Sequence, residues 1–165
     1  MPDGNDNGEA DRGESVSTGS LRLGDYLPYQ LAVASNQVSR MVARSYQSRF
    51  GLTIWEWRVI AVLAEEAGHS GQSLGEAAAM DKVSVSRSVS GLIKRGLVAR
   101  VRNEADRRSS VLSLTEAGWD IYRKVEPVAL EAENALIEDL DADDLARIGR
   151  LLAHLKRRAG AIGEV

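Results

Sequence analysis

The stretch Asp81–Arg100, DKVSVSRSVSGLIKRGLVAR, decides how the rest of the chain is read. At roughly 100° per residue its apolar side chains Val85, Val89, Leu92 and Ile93 gather on one side of a helix, while Ser84, Arg87, Ser90, Gly91 and Lys94 gather on the other. Such a helix holds a core with its back and offers small hydroxyls and cations to the outside. Small residues let a helix approach base edges closely, and an arginine donates two hydrogen bonds to guanine O6 and N7. Ser84, Ser86, Arg87 and Ser90 are therefore candidate contacts in a DNA major groove, with Lys82 and Lys94 placed for phosphates. An ordinary solvated helix face has the same composition, so the residues downstream of the helix carry the decision.

Downstream stands GLVARVRN (Gly96–Asn103), alternating apolar and basic, then the charged interval EADRR (Glu104–Arg108), then SSVLSLT (Ser109–Thr115), alternating again. Two alternating runs around a short loop predict a β-hairpin, a wing. A wing that projects adjacent arginines can insert one into a narrow minor groove, where negative potential is focused; Arg108 is the first candidate and Arg107 the second. Asp106 repels phosphate and is expected to orient a neighbouring arginine by accepting its hydrogen bond. Upstream, SLGEAAAM (Ser73–Met80) reads as a short helix with a capping box at Ser73 and Glu76, so that a helix starting at Ser84 completes a helix-turn-helix.

Further out the pattern is helical. Leu27, Leu31, Ala34, Val38 and Met41 form the stripe of a first helix, and Thr53 with Glu56 caps a second. Thr115 opens a long helix to about Ile137, expected to bend near Pro127, and Asp141 and Asp144 open a last one with Leu145, Ile148, Leu152 and Leu155 on one face. The expected fold class is mainly α with a small β-wing: a winged helix-turn-helix flanked by N- and C-terminal dimerisation helices. Those flanking apolar stripes exceed what one small reading domain can cover, which predicts a homodimer; packing within one chain is the alternative.

Charge supports a nucleic-acid partner only once its distribution is considered. The 165-residue chain carries a net −3, yet from Lys82 to Arg108 eight basic residues face two acidic ones, a local balance of +6. There is no cysteine, which excludes disulfides, thiolate metal sites, cysteine nucleophiles and thiol-based redox sensing. His69 and His154 stand alone, without a partnered nucleophile or metal-ligand spacing, so neither an enzyme nor a metal or cofactor site is expected. The first 20 residues are polar and acidic, lack the apolar core of an export signal, and are expected to form a disordered tail. No stretch of about 20 apolar residues crosses a membrane, so a cytoplasmic protein without membrane attachment is expected.

Taken together, VSVSRSVSGLIKRGLVARVRNEADRRSSVLSLTEAG (Val83–Gly118) resembles the MarR (multiple antibiotic resistance regulator) family. The likeness is carried by Ser84-Val85-Ser86-Arg87, by Leu92 with Arg95-Gly96-Leu97-Val98 and Arg100, by Asp106-Arg107-Arg108, and by Leu114-Thr115 with Gly118; LTIWEWRVIAVL (Leu52–Leu63) looks like the family's helix before the reading head. It extends over about Leu27 to Leu155, and the acidic tail falls outside it. The resemblance implies a homodimeric transcription factor, by default a repressor, whose terminal helices intertwine and whose two winged domains each read half of a pseudo-palindrome, with Arg108 as the minor-groove arginine. It also implies a small-molecule effector, an aromatic or phenolic anion, bound between dimerisation helices and reading head to release or reshape DNA binding; Tyr26, Tyr29, Trp55, Trp57 and Arg58 are candidate lining residues, with core packing as the alternative role for each.

The expected organisation is a tail (1–20), an N-terminal dimerisation helix (21–52), a winged helix-turn-helix (53–114) and C-terminal dimerisation helices (115–165). A winged-helix protein-interaction module without DNA binding is the competing reading; the basic segment separates the two, since such a module has no use for eight cations on helix and wing.

Overall fold

The computed structural model describes residues 21–102 and 110–163. The chain divides into two units, residues up to Ser35 and residues from Asn36 on. In the first, a 3-10 turn, Leu23–Asp25, leads into helix α1, Leu27–Phe50, which runs on into the second unit. Within that first unit the Tyr26 carbonyl accepts the amides of Tyr29 (3.0 Å) and Gln30 (3.1 Å), and Leu27, Tyr29 and Leu31 are all exposed.

The second unit continues with α2, Ile54–Glu65; α3, Gly71–Ala78; α4, Lys82–Lys94; β1, Val98–Arg102; β2, Ser110–Leu114; α5, Glu116–Ile137; and α6, Ala142–Gly163. This is the expected order, mainly helical with one small two-stranded antiparallel sheet. In the sheet Val98 faces Leu114, Arg100 faces Leu112 and Arg102 faces Ser110. A third segment joins its edge, where the Leu112 amide donates to the His69 carbonyl (2.9 Å) and the Gly68 amide to the Leu112 carbonyl (3.1 Å).

Local chemistry explains the helix ends. The Thr53 hydroxyl accepts the Glu56 amide (3.1 Å) while the Glu56 carboxylate accepts the Thr53 amide (2.9 Å), the reciprocal box expected from the sequence. Thr115 caps α5 by accepting the Gly118 amide (3.1 Å), and α5 continues through Pro127 without a break. Two starts fall earlier than the spacing predicts, by three residues in α3 and two in α4. Helix α3 is capped by Ser70, whose hydroxyl accepts the Ser73 amide (3.1 Å); Ser73 lies inside the helix and Glu76 instead accepts from Gln72 (3.2 Å). Helix α4 starts at Lys82 under Asp81, which accepts the amides of Val83 and Ser84, both at 2.9 Å. In each case the earlier cap adds backbone bonds to the helix.

The turn between α3 and α4 rests on Ala79 in the left-handed region (φ 51°), with the Met80 amide donating to the Gly75 carbonyl (2.8 Å) and the Ala79 amide to the Glu76 carbonyl (3.3 Å). Gly75 leaves room for it, since a Cβ there would stand 3.1 Å from the Met80 carbonyl. Tyr46, Leu52, Ile60, Leu63, Leu74, Leu92, Val59 and Val125 form the fully buried centre, into which α1, α2, α3, α4 and α5 each send a side chain. Helix α6 is different. Of its 22 residues none is buried, and Ile148, Leu151 and Leu152 are 43%, 54% and 51% exposed. No described helix is long and apolar enough to cross a membrane.

Candidate nucleic-acid interface

Helix α4 lies with Val85, Ser88, Val89 and Leu92 in the core, against α2, α3 and β1, and this fixes which residues face outward. Lys82, Ser86, Arg87, Ser90 and Lys94 are all exposed, as the helical spacing requires. Ser84 is not free in the same way. It is half-buried and its hydroxyl donates to the Asp81 carboxylate at 2.6 Å, so it completes the cap. That hydrogen bond, with those from the Ser84 and Val83 amides, holds the Asp81 carboxyl below the usual aspartate range. The cap is thus anionic at the helix N-terminus, where the dipole favours it.

Gly91 also departs from its expected place on the outer face. A Cβ there would stand 3.1 Å from Glu56 Oε1, so its smallness serves the crossing of α4 over α2. Conversely, Val83 is 61% exposed beside Ser86 and Arg87, an apolar surface at the start of the reading face suited to a thymine methyl group. Sequence reasoning missed it by starting the helix at Ser84; with Asp81 recognised as the cap, Val83 falls in the first turn. On β1 Arg100 is exposed, and with Lys82 and Ser86 it lines a recess of about 530 Å³ bounded by α3, α4 and the hairpin. Asp106, Arg107 and Arg108 lie outside the described residues.

Arg95 departs most from a simple count of charges. Its guanidinium donates to the carbonyls of Gly51 (3.0 Å) and Phe50 (3.1 Å), at the end of α1, and lies 3.7 Å from Glu56.

The residues named as a ligand pocket separate. Trp57 lines a groove of about 400 Å³ between α1, α2 and α5, with Val38, Val42, Tyr122, Leu130 and the carboxylates Glu126 and Glu133. Its ring is stacked on Tyr122 (centroids 5.8 Å apart, 17° between planes) and tilted against Tyr46 (5.7 Å). Burial pushes the Tyr46 phenol up to about 12 against the opposing influence of Arg58. The Tyr122 phenol is raised chiefly by its 2.7 Å hydrogen bond to Glu126, then by burial. Trp55 is exposed, with the Arg58 guanidinium over its ring at 5.2 Å, and Arg58 donates to the Ser39 hydroxyl (3.2 Å). Tyr26 and Tyr29, in the first unit, are exposed.

Known proteins share both the sequence pattern and the fold. Residues 50–109 match the MarR family. The transcriptional activatory protein BadR of Rhodopseudomonas palustris is 27% identical over 163 residues, covering 92% of this chain and 91% of that protein. A MarR/EmrR family transcriptional regulator from Acinetobacter sp. ADP1 superposes with a TM-score of 0.79 at 25% identity, covering 86% of this chain and 99% of that one. The PcaV transcriptional regulator of Streptomyces coelicolor, solved in complex with its natural ligand, superposes with a TM-score of 0.72 at 25% identity, over 86% and 99% of the two chains.

Proposed function

We propose that this chain, whose residues 50–109 match the MarR family, is a winged-helix transcriptional regulator of that kind, which reads a pseudo-palindromic operator in double-stranded DNA as a homodimer and answers to a small aromatic effector. The observation that carries the reading is the outer face of α4: an exposed row of Lys82, Ser86, Arg87, Ser90 and Lys94 over a back buried at Val85, Ser88, Val89 and Leu92. Arg87 and the serines meet base edges, and the lysines meet phosphates. Ser84 contributes by fixing the N-terminus. The wing adds Arg108 in the minor groove, with Arg107 beside it and Asp106 orienting them.

Dimerisation is supported by α6. A 22-residue amphipathic helix with no buried residue gains little from tertiary packing, and isolated helices of this kind are marginal in water. A second copy that covers Leu145, Ile148, Leu152 and Leu155 supplies the missing burial and brings two reading heads to one duplex about one helical turn apart. The effector is supported by the groove at Trp57 and Tyr122, whose volume and aromatic floor suit a small ring. Its two wall carboxylates favour a ligand that donates hydrogen bonds, as a phenol does. An operator overlapping a promoter is blocked by occupation, so repression is the default outcome.

Two variants test the site. Arg87→Ala removes a base contact and is expected to relax sequence choice, costing about 1–3 kcal/mol on the preferred site; Lys94→Ala removes a phosphate contact and lowers the salt slope by about one, uniformly across sequences. Anisotropy titrations at several salt concentrations read both. Unchanged sequence choice in Arg87→Ala would remove α4 from the site and favour a protein-interaction module.

A further inference from the structure

Three helix ends meet at one point. Helix α1 closes with Gly51 in the left-handed region (φ +61°), and its amide donates to the Gln47 carbonyl (2.9 Å). That leaves the carbonyls of Phe50 and Gly51 without a helical partner, and an unsatisfied helix C-terminus attracts cations. Arg95, the residue after α4, supplies one: Nη2 donates to Phe50 and Nη1 to Gly51. The same Nη1 lies 3.7 Å from Glu56 Oε1, on the first turn of α2, where Glu56 is already held by Thr53. Gly91, one turn before Arg95, gives the carboxylate its room.

We infer that Arg95 is a positioning residue: it fastens the C-terminal end of the recognition helix to the end of α1 and so sets the half-site spacing that the dimer accepts. The inference rests on the dimeric DNA reader proposed above. The apolar back of α4 holds the helix to its own domain, but such contacts are non-directional and tolerate small rotations. The guanidinium fork is directional, with its two donors on different nitrogens reaching two successive carbonyls. Helix α4 is about 20 Å long, so a loosened C-terminal anchor that lets it tilt by about 10° displaces one end relative to the other by about 3.5 Å, one base-pair rise. A loose Arg95 therefore costs the dimer its ruler while leaving each reading face intact.

The test uses the full chain and a series of duplexes in which two copies of the preferred half-site are set at the optimal spacing or shifted by one or two base pairs, beside a duplex with one half-site. Wild type, Arg95→Ala, Arg95→Lys and Glu56→Gln are compared, each with a urea unfolding curve. In Arg95→Ala the preference for the optimal spacing over its nearest neighbour is expected to fall by about tenfold, or 1.4 kcal/mol, while single half-site affinity stays within about twofold. Arg95→Lys keeps the charge without the fork and is expected to fall between the two. Wild-type spacing preference in a folded Arg95→Ala or Arg95→Lys overturns the inference, and so does an equal loss on single and paired half-sites, which marks a purely structural residue. If Arg95→Ala does not fold, Arg95→Lys and Glu56→Gln carry the comparison and the same outcomes decide it. A wild type with no spacing preference removes the dimeric reading itself, a result visible before any variant is compared.

Discussion

Replacing Gly118 by alanine tests how the recognition domain is joined to α5. Gly118 lies in the first turn of α5, and a Cβ built there would stand 2.1 Å from the Leu97 carbonyl oxygen, 3.1 Å from its carbon and 3.3 Å from Leu114 Cβ. The first distance is roughly 1 Å short of a tolerable carbon–oxygen contact, and the atom it meets is backbone. That carbonyl cannot turn aside cheaply, because it accepts the Thr115 amide (3.1 Å), and the Leu97 amide donates to Leu92 (2.9 Å). Either α5 lifts from the base of the wing or the turn after α4 opens. Overpacking of this kind costs about 1–3 kcal/mol, loss of the Thr115–Leu97 hydrogen bond about 1 kcal/mol, and the better helix propensity of alanine returns about 1 kcal/mol. The net expectation is a destabilisation of about 2 kcal/mol. Urea unfolding followed by far-ultraviolet circular dichroism measures it, at one fixed protein concentration because the stability of the proposed dimer depends on concentration. With a slope near 2 kcal/mol per molar urea the midpoint should fall by about 1 M at unchanged slope. A midpoint that stays put or rises would mean that the contact yields freely, and that the α4–β1–α5 junction is not held as described.

Titration and the uncovered helix give two more tests. Burial raises the Tyr46 phenol from 10.0 to about 12; a raised folded value means that its stabilising effect is complete below pH 10 and is lost as pH climbs toward 12. The unfolding free energy should therefore fall across that window, less steeply in Tyr46→Phe, with the residual slope owed in part to Tyr122, whose phenol is also raised; equal slopes in the two proteins would refute it. Leu152→Asp places a charge on the uncovered α6 face and is expected to shift the protein from dimer to monomer in sedimentation velocity, with little effect on the core that α6 does not enter; an unchanged sedimentation coefficient would place the dimer contact elsewhere.

Much of the fold was legible because its signals are local. Thr53 with Glu56, and Thr115 ahead of α5, are caps whose partners lie three residues away, and the alternation of Val98–Arg102 and Ser110–Leu114 is a pairwise pattern. Where two caps compete within one turn, spacing alone misleads. Ser70 and Ser73 both precede plausible helices, and the extra backbone bonds gained by starting at Ser70 decide it, with the Ser73 hydroxyl turned back toward Ser70 (3.1 Å). The candidate site shows the limit more sharply. Arg87 and Arg95 are the same letter eight positions apart in a basic segment, yet one faces outward and the other clasps carbonyls 44 and 45 residues upstream. Charge counting adds both to the same basic segment; only tertiary adjacency separates them. Gly91 was misplaced for the same reason, since its neighbour Glu56 belongs to another helix.

The central claim is that two copies of this chain read paired half-sites through α4. Selection from a random double-stranded DNA library, with the enriched pool then titrated against salt, tests it most directly. A dimeric reader should recover a pseudo-palindrome with half-site centres about ten base pairs apart, or a multiple of that, and an affinity that falls steeply and log-linearly with salt. A pool without enrichment, or binding indifferent to salt, would contradict it and leave the basic face of α4 as a surface for another protein.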